Sequence, residues 1–263
     1  MKKTLSVLIA IMAFTQLSTA QEDFTKFRMG FKVSPNISWF QPQDKHFTSE
    51  GSVLRFGFGF NADVFFAQNY AIGTGVNVMR NGGKISYLEV TNSQGTDYIV
   101  RRERSMSNQY VEVPLTFKLR TNEIGYITYW GQFGFGLGVN INARGDNEDE
   151  LMYFYDESDP MDPGWKAVAD RVVQLEEDVN FSDDVQLFRM SMIIGGGIEY
   201  NLSGSTSILV GVTYNNGFTN AFKDTDVIRT ENGEPVFESG QPRDDVRLRA
   251  ISNSIELNLG ILF

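Results

Sequence analysis

Cysteine is absent from the 263 residues. No disulfide can staple an exported form of this chain, so core packing or a closed sheet has to hold it together. Lipoprotein anchoring through an N-terminal cysteine is excluded as well. Positive charge is in deficit, with a formal net charge of −10, and this argues against nucleic acid as a partner. Proline is sparse, at 7 residues. Beyond the first twenty residues, no apolar run is long enough to cross a bilayer as a helix, which takes about 20 residues. Mean hydropathy is slightly polar. A transmembrane β-barrel also looks polar on average, because only alternate residues meet lipid.

What is present points one way. Lys2 and Lys3 precede an apolar stretch from Leu5 to Leu17, and the small residues Ser18, Thr19 and Ala20 follow. This is the pattern of a secretory signal peptide over 1–20, with cleavage after Ala20 and a mature domain over 21–263. Glycine and aromatic residues are abundant, which suits long strands with aromatic girdles better than a helical enzyme.

Period-two alternation dominates the mature part. In 127–142 the odd positions include Ile127, Tyr129, Phe133, Phe135, Leu137, Val139 and Ile141, while the even positions are polar or glycine apart from Trp130. Similar alternation in 27–39, 54–66, 70–80, 110–120, 186–200, 205–216 and 255–263 gives eight strands. Each is long enough for the roughly 9–11 residues of a tilted transmembrane strand. Connections near 67–69, 121–125 and 201–204 are short; those at 41–53, 81–109, 143–185 and 217–247 are long. Strict alternation of short and long is the signature of an up-and-down barrel with periplasmic turns and external loops. The expected fold is therefore all-β: an eight-stranded antiparallel up-and-down transmembrane barrel in the outer membrane of a Gram-negative bacterium. Pro35 and Pro114 interrupt strands and predict bulges or an adjusted register. Tyr126, Tyr129, Tyr200 and Phe66 predict a periplasmic aromatic girdle, and Trp39, Tyr110, Tyr214 and Phe218 an external one. Phe263, closing an alternating strand, reads as a recognition mark for the barrel-assembly machinery.

The second face of the strands carries charges of both signs. Arg28, Lys32, Arg55, Asp63, Glu112, Lys118, Arg120, Arg189, Glu199 and Glu256 are expected to form a polar network that fills a lumen only wide enough for side chains.

MGFKVSPNISWF (29–40), GFGFNADVFFAQNYAIGTGVNV (57–78) and YVEVPLTFKLR (110–120) resemble the PorT-like outer-membrane β-barrel family of Bacteroidota, with Val113, Pro114 and Leu115 similar to its most recurrent strand motif. The resemblance covers about 21–143 closely and the last three strands more loosely. It implies an outer-membrane barrel of eight strands; some relatives are accessory parts of type IX secretion. It brings no catalytic or ligand residues, and the long 143–185 insertion departs from its pattern.

That insertion holds fourteen acids against three bases, a balance of −11. It is either a solvated, aggregation-deterring loop or a surface for cations or a partner. No calcium-loop spacing occurs in it, and no cofactor is expected. Pro163 follows the capping residue Asp162, and Trp165, Val168, Val172, Leu175 and Val179 recur at helical spacing. An amphipathic helix over 163–179 is expected, packed on neighbouring loops or presenting Trp165, Val168, Val172 and Leu175 to a partner. Arg101, Arg102 and Arg104 are expected to meet the acidic loop. Three functions compete. The first is a non-enzymatic barrel that anchors in outer-membrane lipid and binds an envelope protein, with secretion machinery as one such partner. The second is a small-solute channel. The third is a lipid-modifying enzyme at the membrane rim, with His46, Ser49 and Asp44 as its nearest approach to a catalytic set.

Overall fold

The computed structural model describes residues 26–158 and 163–263. The expected signal peptide and the capping residue Asp162 lie outside them. Nine long strands run through the described residues: β1 Phe27–Pro42, β2 Thr48–Ala67, β3 Tyr70–Ser93, β4 Thr96–Arg120, β5 Ile127–Asp156, β6 Gly164–Asn180, β7 Phe188–Ser203, β8 Thr206–Gly217 and, last in the chain, β15 Ala250–Leu262. Between β8 and β15 the loop forms six two-residue strands: β9 Asp226–Val227, β10 Thr230–Glu231, β11 Glu234–Pro235, β12 Phe237–Glu238, β13 Gln241–Pro242 and β14 Val246–Arg247.

Eight strands close a ring in the order β4, β3, β2, β1, β15, β8, β7, β5, with β5 pairing back to β4. All ring pairings are antiparallel, and all join strands adjacent in the chain except β5 with β7, β8 with β15 and the closure of β1 on β15. Closure removes the free edges that a sheet would otherwise expose to lipid. The alternation read from the sequence becomes an outer surface of Phe31, Phe56, Phe58, Leu115, Phe133, Phe135 and Leu257, all exposed. The turns at one end are short. Two-residue loops join β2 to β3 and β7 to β8, the second with Gly204 at φ 57°.

Four features differ from the sequence expectation. First, 164–180 is strand, not helix. β6 pairs antiparallel with the upper half of β5, and no helix occurs among the described residues. Side chains three apart share a helix face but oppose each other on a strand. Val172 accordingly sits across from Leu151 while Leu175 sits across from Glu148. Val168 falls in a bulge where residues 168–171 oppose Met152 alone. The valines favour the extended form, and β5 offers an unpaired edge to complete. Second, the external loops are largely sheet. β3, β4 and β5 continue well past the apolar band, and 143–156 belongs to β5. β5 spans 30 residues, roughly 100 Å of chain at about 3.3 Å per residue. With β6 these strands make a four-stranded sheet standing on one side of the barrel. Third, the prolines shift no register. Ser34 and Pro35 lack partners on β15, and Val113 and Pro114 lack partners on β3, yet pairing resumes in the same register on both sides. A missing N–H costs a rung without inserting a residue. Fourth, Tyr110 faces inward and is 1% exposed, so it belongs to the lumen rather than a girdle.

Above the lumen the inward side chains turn apolar. Phe40, Phe47, Met106, Phe181, Phe222 and Leu248 belong to one buried cluster contributed by strand tops and by the 43–47, 181–185 and 218–249 loops. Phe40 and Phe222 pack with ring centroids 5.2 Å apart. This cluster lids the external mouth.

Candidate functional site

The inward-facing charges sort into two layers. Near the short-turn end, Arg28 Nη1 donates to Glu199 Oε2 at 2.6 Å, and its Nη2 donates to Ser207 Oγ at 2.9 Å. Lys118 Nζ donates to Asp63 at 2.6 Å and to Glu199 Oε1 at 2.8 Å. Arg120 approaches Glu199 at 3.8 Å. Lys118 also lies 5.4 Å from the Trp130 ring centroid, and Arg120 5.1 Å from that of Phe65. Strand register explains this meeting. Inward positions of β1, β2, β4 and β7 come level there, although the residues are far apart in sequence.

The upper layer centres on Arg189. It donates to Glu112 at 3.1 Å, to Asn215 Oδ1 at 2.8 Å and to the Ser252 carbonyl at 3.1 Å. Ser191 donates to the same Glu112 oxygen. Lys32 donates to Asn258 Oδ1 at 3.2 Å, and Ser254 donates to the buried Glu256. Arg55 stands apart from both layers. Its guanidinium bonds the Leu54 carbonyl and no carboxylate among the described residues. Nine of the ten charged residues singled out from the sequence therefore sit in the lumen layers. The asparagines and serines that complete the layers carried no signal beyond being polar at inward positions.

Packing leaves little space between the layers. The cavity there is about 40 Å³, lined by Lys32, Asp63, Glu112, Lys118, Trp130 and Glu256 among others. That is room for only a few water molecules. A wider recess of about 250 Å³ opens at the short-turn end beside Arg28, Arg120 and Glu199, but it stops at the lower layer. In planar bilayers the protein is expected to give no current above leak. Discrete, reproducible conductance steps would contradict a sealed lumen.

On the external sheet the basic run meets the acidic segment. Arg102 grips Asp149 with two hydrogen bonds of 2.8 and 2.7 Å and reaches Glu89 at 2.8 Å. The Asp149 bond above all holds the Arg102 guanidinium above its ordinary pKa. Arg101 lies 3.7 Å from Glu150, and Arg104 bonds Asp184 at 2.9 Å while stacking 4.8 Å over Phe181. Trp165 packs with Leu88, Ile99 and Ile228, whereas Val172 and Leu175 are exposed. The outer edge of β6 has no strand partner among the described residues.

His46 is buried between loops. Its Nδ1 lies 3.0 Å from both the N–H and the carbonyl oxygen of Thr230, and its Nε2 is 3.6 Å from Asp44. Ser49 makes no bond to it. These are the contacts of a clamp joining the first external loop to the last. A second clasp lies nearby, where Arg229 hydrogen bonds hold the Asp245 carboxyl down at about 2. Phe263 pairs with Met29 through two backbone hydrogen bonds, completing the seam with β1.

The family described as "Outer membrane protein beta-barrel domain" matches residues 15–223. No curated protein matches the sequence. Among solved structures, Ail, the attachment invasion locus protein of Yersinia pestis, is similar at 11% identity and a TM-score of 0.36, covering 91% of this chain and 100% of its own. Neisserial surface protein A gives 9% and 0.39, with 90% and 96% covered. OprG from Pseudomonas aeruginosa gives 8% and 0.40, with 90% and 95% covered. Likeness at this level says nothing of ligand, partner or activity.

Proposed function

Since this chain belongs to the outer membrane protein β-barrel domain family, we propose that it is a non-enzymatic anchor whose external sheet binds another envelope protein. The observation that carries this reading is the contrast between the two ends of the polar architecture. The lumen is packed shut by paired charges. Outside the membrane, β3 to β6 form a braced platform that ends in an exposed, acidic strand whose outer edge has no strand partner among the described residues. A structure spent on transport would leave a path through the wall's interior. A structure spent on recognition invests in a rigid surface away from the bilayer. β6 is exposed on both faces: Val173 and Leu175 share one with Glu177, and Val172 lies on the other with Glu176, so each face sets apolar anchors beside acidic residues. Trp165 packs against Leu88, Ile99 and Ile228 and so holds that strand, and Val168 lies in the bulge, outside the exposed patch.

The resemblance of 29–40, 57–78 and 110–120 to the PorT-like family supports an accessory place in type IX secretion as the finer assignment. Export by a cleaved signal peptide and insertion by the barrel-assembly machinery belong to the same reading. A photo-crosslinking residue at Leu175, in cells of the native organism, is expected to give a discrete protein adduct. The same residue at lipid-facing Phe133 is expected to give none. Equal labelling of lipid at both positions would contradict an interaction role for the sheet.

A further inference from the structure

The barrel wall is unzipped at one place. β2 and β3 pair from Ala67–Tyr70 up to Phe58–Val78 and again at Gly51–Lys84. Between these points, residues 52–57 and 79–83 do not pair with each other, although each segment keeps its other neighbour, β1 or β4. The cause is an inward lean of β3. Asn36 donates to the Arg80 carbonyl at 3.2 Å, and the Gly82 N–H donates to Ser38 Oγ at 2.9 Å. A side chain on Gly83 would strike the backbone of Trp39 and Phe40. β3 thus bonds to inward side chains of β1, beneath β2, and leaves the β2 edge facing outward.

Two arginines flank this opening. Arg80 is the first charged residue at an outward position of β3, following Ile72, Thr74, Val76 and Val78, which places it at the external limit of the apolar band. It is exposed, and its side chain has no hydrogen bond or ion pair among the described residues. Arg55 Nη1 reaches only the Leu54 carbonyl, at 3.2 Å, and its Nε is buried without a partner. Arg80 and Asp146 are the charges that act on Arg55. Asp146 is beyond ion-pair distance and accepts the Asp178 N–H instead. Two like charges with spare donors, beside an open backbone edge, are stabilised by an anion with several acceptor oxygens. Toward the short-turn end from them, Phe56 and Phe58 are 63% and 60% exposed, a surface for hydrocarbon.

We propose that the β2–β3 opening binds the phosphate group of an outer-leaflet lipid, clamped by Arg55 and Arg80, with its acyl chains along Phe56 and Phe58. The full-length mature protein in non-ionic detergent can be titrated with diphosphorylated lipid A, with the same lipid lacking phosphate, and with inorganic phosphate, and bound ligand counted by native mass spectrometry. The phosphorylated lipid is expected to bind, and Arg80→Gln to weaken it about tenfold, the scale of one charge-assisted hydrogen bond. Arg55→Gln is expected to do the same, and Lys223→Gln, an exposed cation elsewhere, to change nothing. Arg80 bonds no other side chain, so its variant tests the site without risk to folding. Equal binding of the lipid without phosphate would overturn the proposal in favour of acyl contacts alone. Competition by inorganic phosphate at the lipid's own concentration would overturn it in favour of a free-anion site. Unchanged binding in both arginine variants would overturn it outright.

Discussion

Glu199→Leu is expected to destabilise the barrel by about 3–5 kcal/mol, the cost of leaving buried charge without its partner. Glu199 is the hub of the lower layer. It accepts from Arg28 and Lys118 and faces Arg120. Without it, three cations remain beside Asp63 alone. The Lys118 side chain is 4% exposed and that of Arg28 7%, so water cannot replace the lost carboxylate. Urea unfolding in lipid vesicles, followed by tryptophan fluorescence, measures the loss. The double variant Lys118→Met with Glu199→Leu separates charge from packing. It removes one charge of each sign and is expected to lose less than Glu199→Leu alone, because replacing a buried pair with apolar groups is often close to neutral. A loss below about 1 kcal/mol for Glu199→Leu would mean that the layer is hydrated and exchangeable.

Phe222→Ala is expected to release the external lid and spare the barrel. Phe222 is fully buried, packs its ring at a tilt against Phe40 and belongs to the cluster that joins the last external loop to the strand tops. Removing a buried phenyl ring costs about 3–5 kcal/mol. The cost falls on a unit held by side-chain packing and a few loop hydrogen bonds, whereas the wall is held by long strand ladders broken chiefly between β2 and β3. Local opening therefore becomes easier without global unfolding. Protease cleavage within 218–249 should accelerate about a hundredfold, the equivalent of about 3 kcal/mol in the opening equilibrium. Resistance of the wall to heat in detergent should stay as it is. Joint loss of both resistances would show that lid and barrel form one cooperative unit.

The wall was legible because lipid on one side and a polar filling on the other impose a strict two-residue period. Phe133, Phe135 and Leu137 against Gln132, Gly134 and Gly136 leave no other reading. The charged lumen residues were legible for the same reason, since a charge at an inward position has nowhere else to go. Their partners were not, because which inward residues come level depends on barrel stagger. Above the membrane, no lipid covers the sheet, its inner face is only partly covered by the last external loop, and the period loses its force. There, Trp165, Val168, Val172 and Leu175 imitated a helix. The bulge at 168–171 breaks the two-residue phase, and pairing with β5, visible only in three dimensions, decides the outcome. Arg55 was misplaced among the lumen charges because parity assumes an unbroken ladder, and the ladder opens beside it.

The absence of native cysteine makes one scan decisive. Single cysteines placed in turn from Ile127 to Ile141 can carry a nitroxide in lipid vesicles, with collision rates measured for oxygen and for a water-soluble nickel chelate. The structure predicts oxygen access at Tyr129, Phe133, Phe135, Leu137 and Val139, and little access for either reagent at Thr128, Trp130, Gln132 and Gly136. High nickel access along the even positions would mean an aqueous lumen, and loss of the alternation would mean that this strand does not face lipid at all.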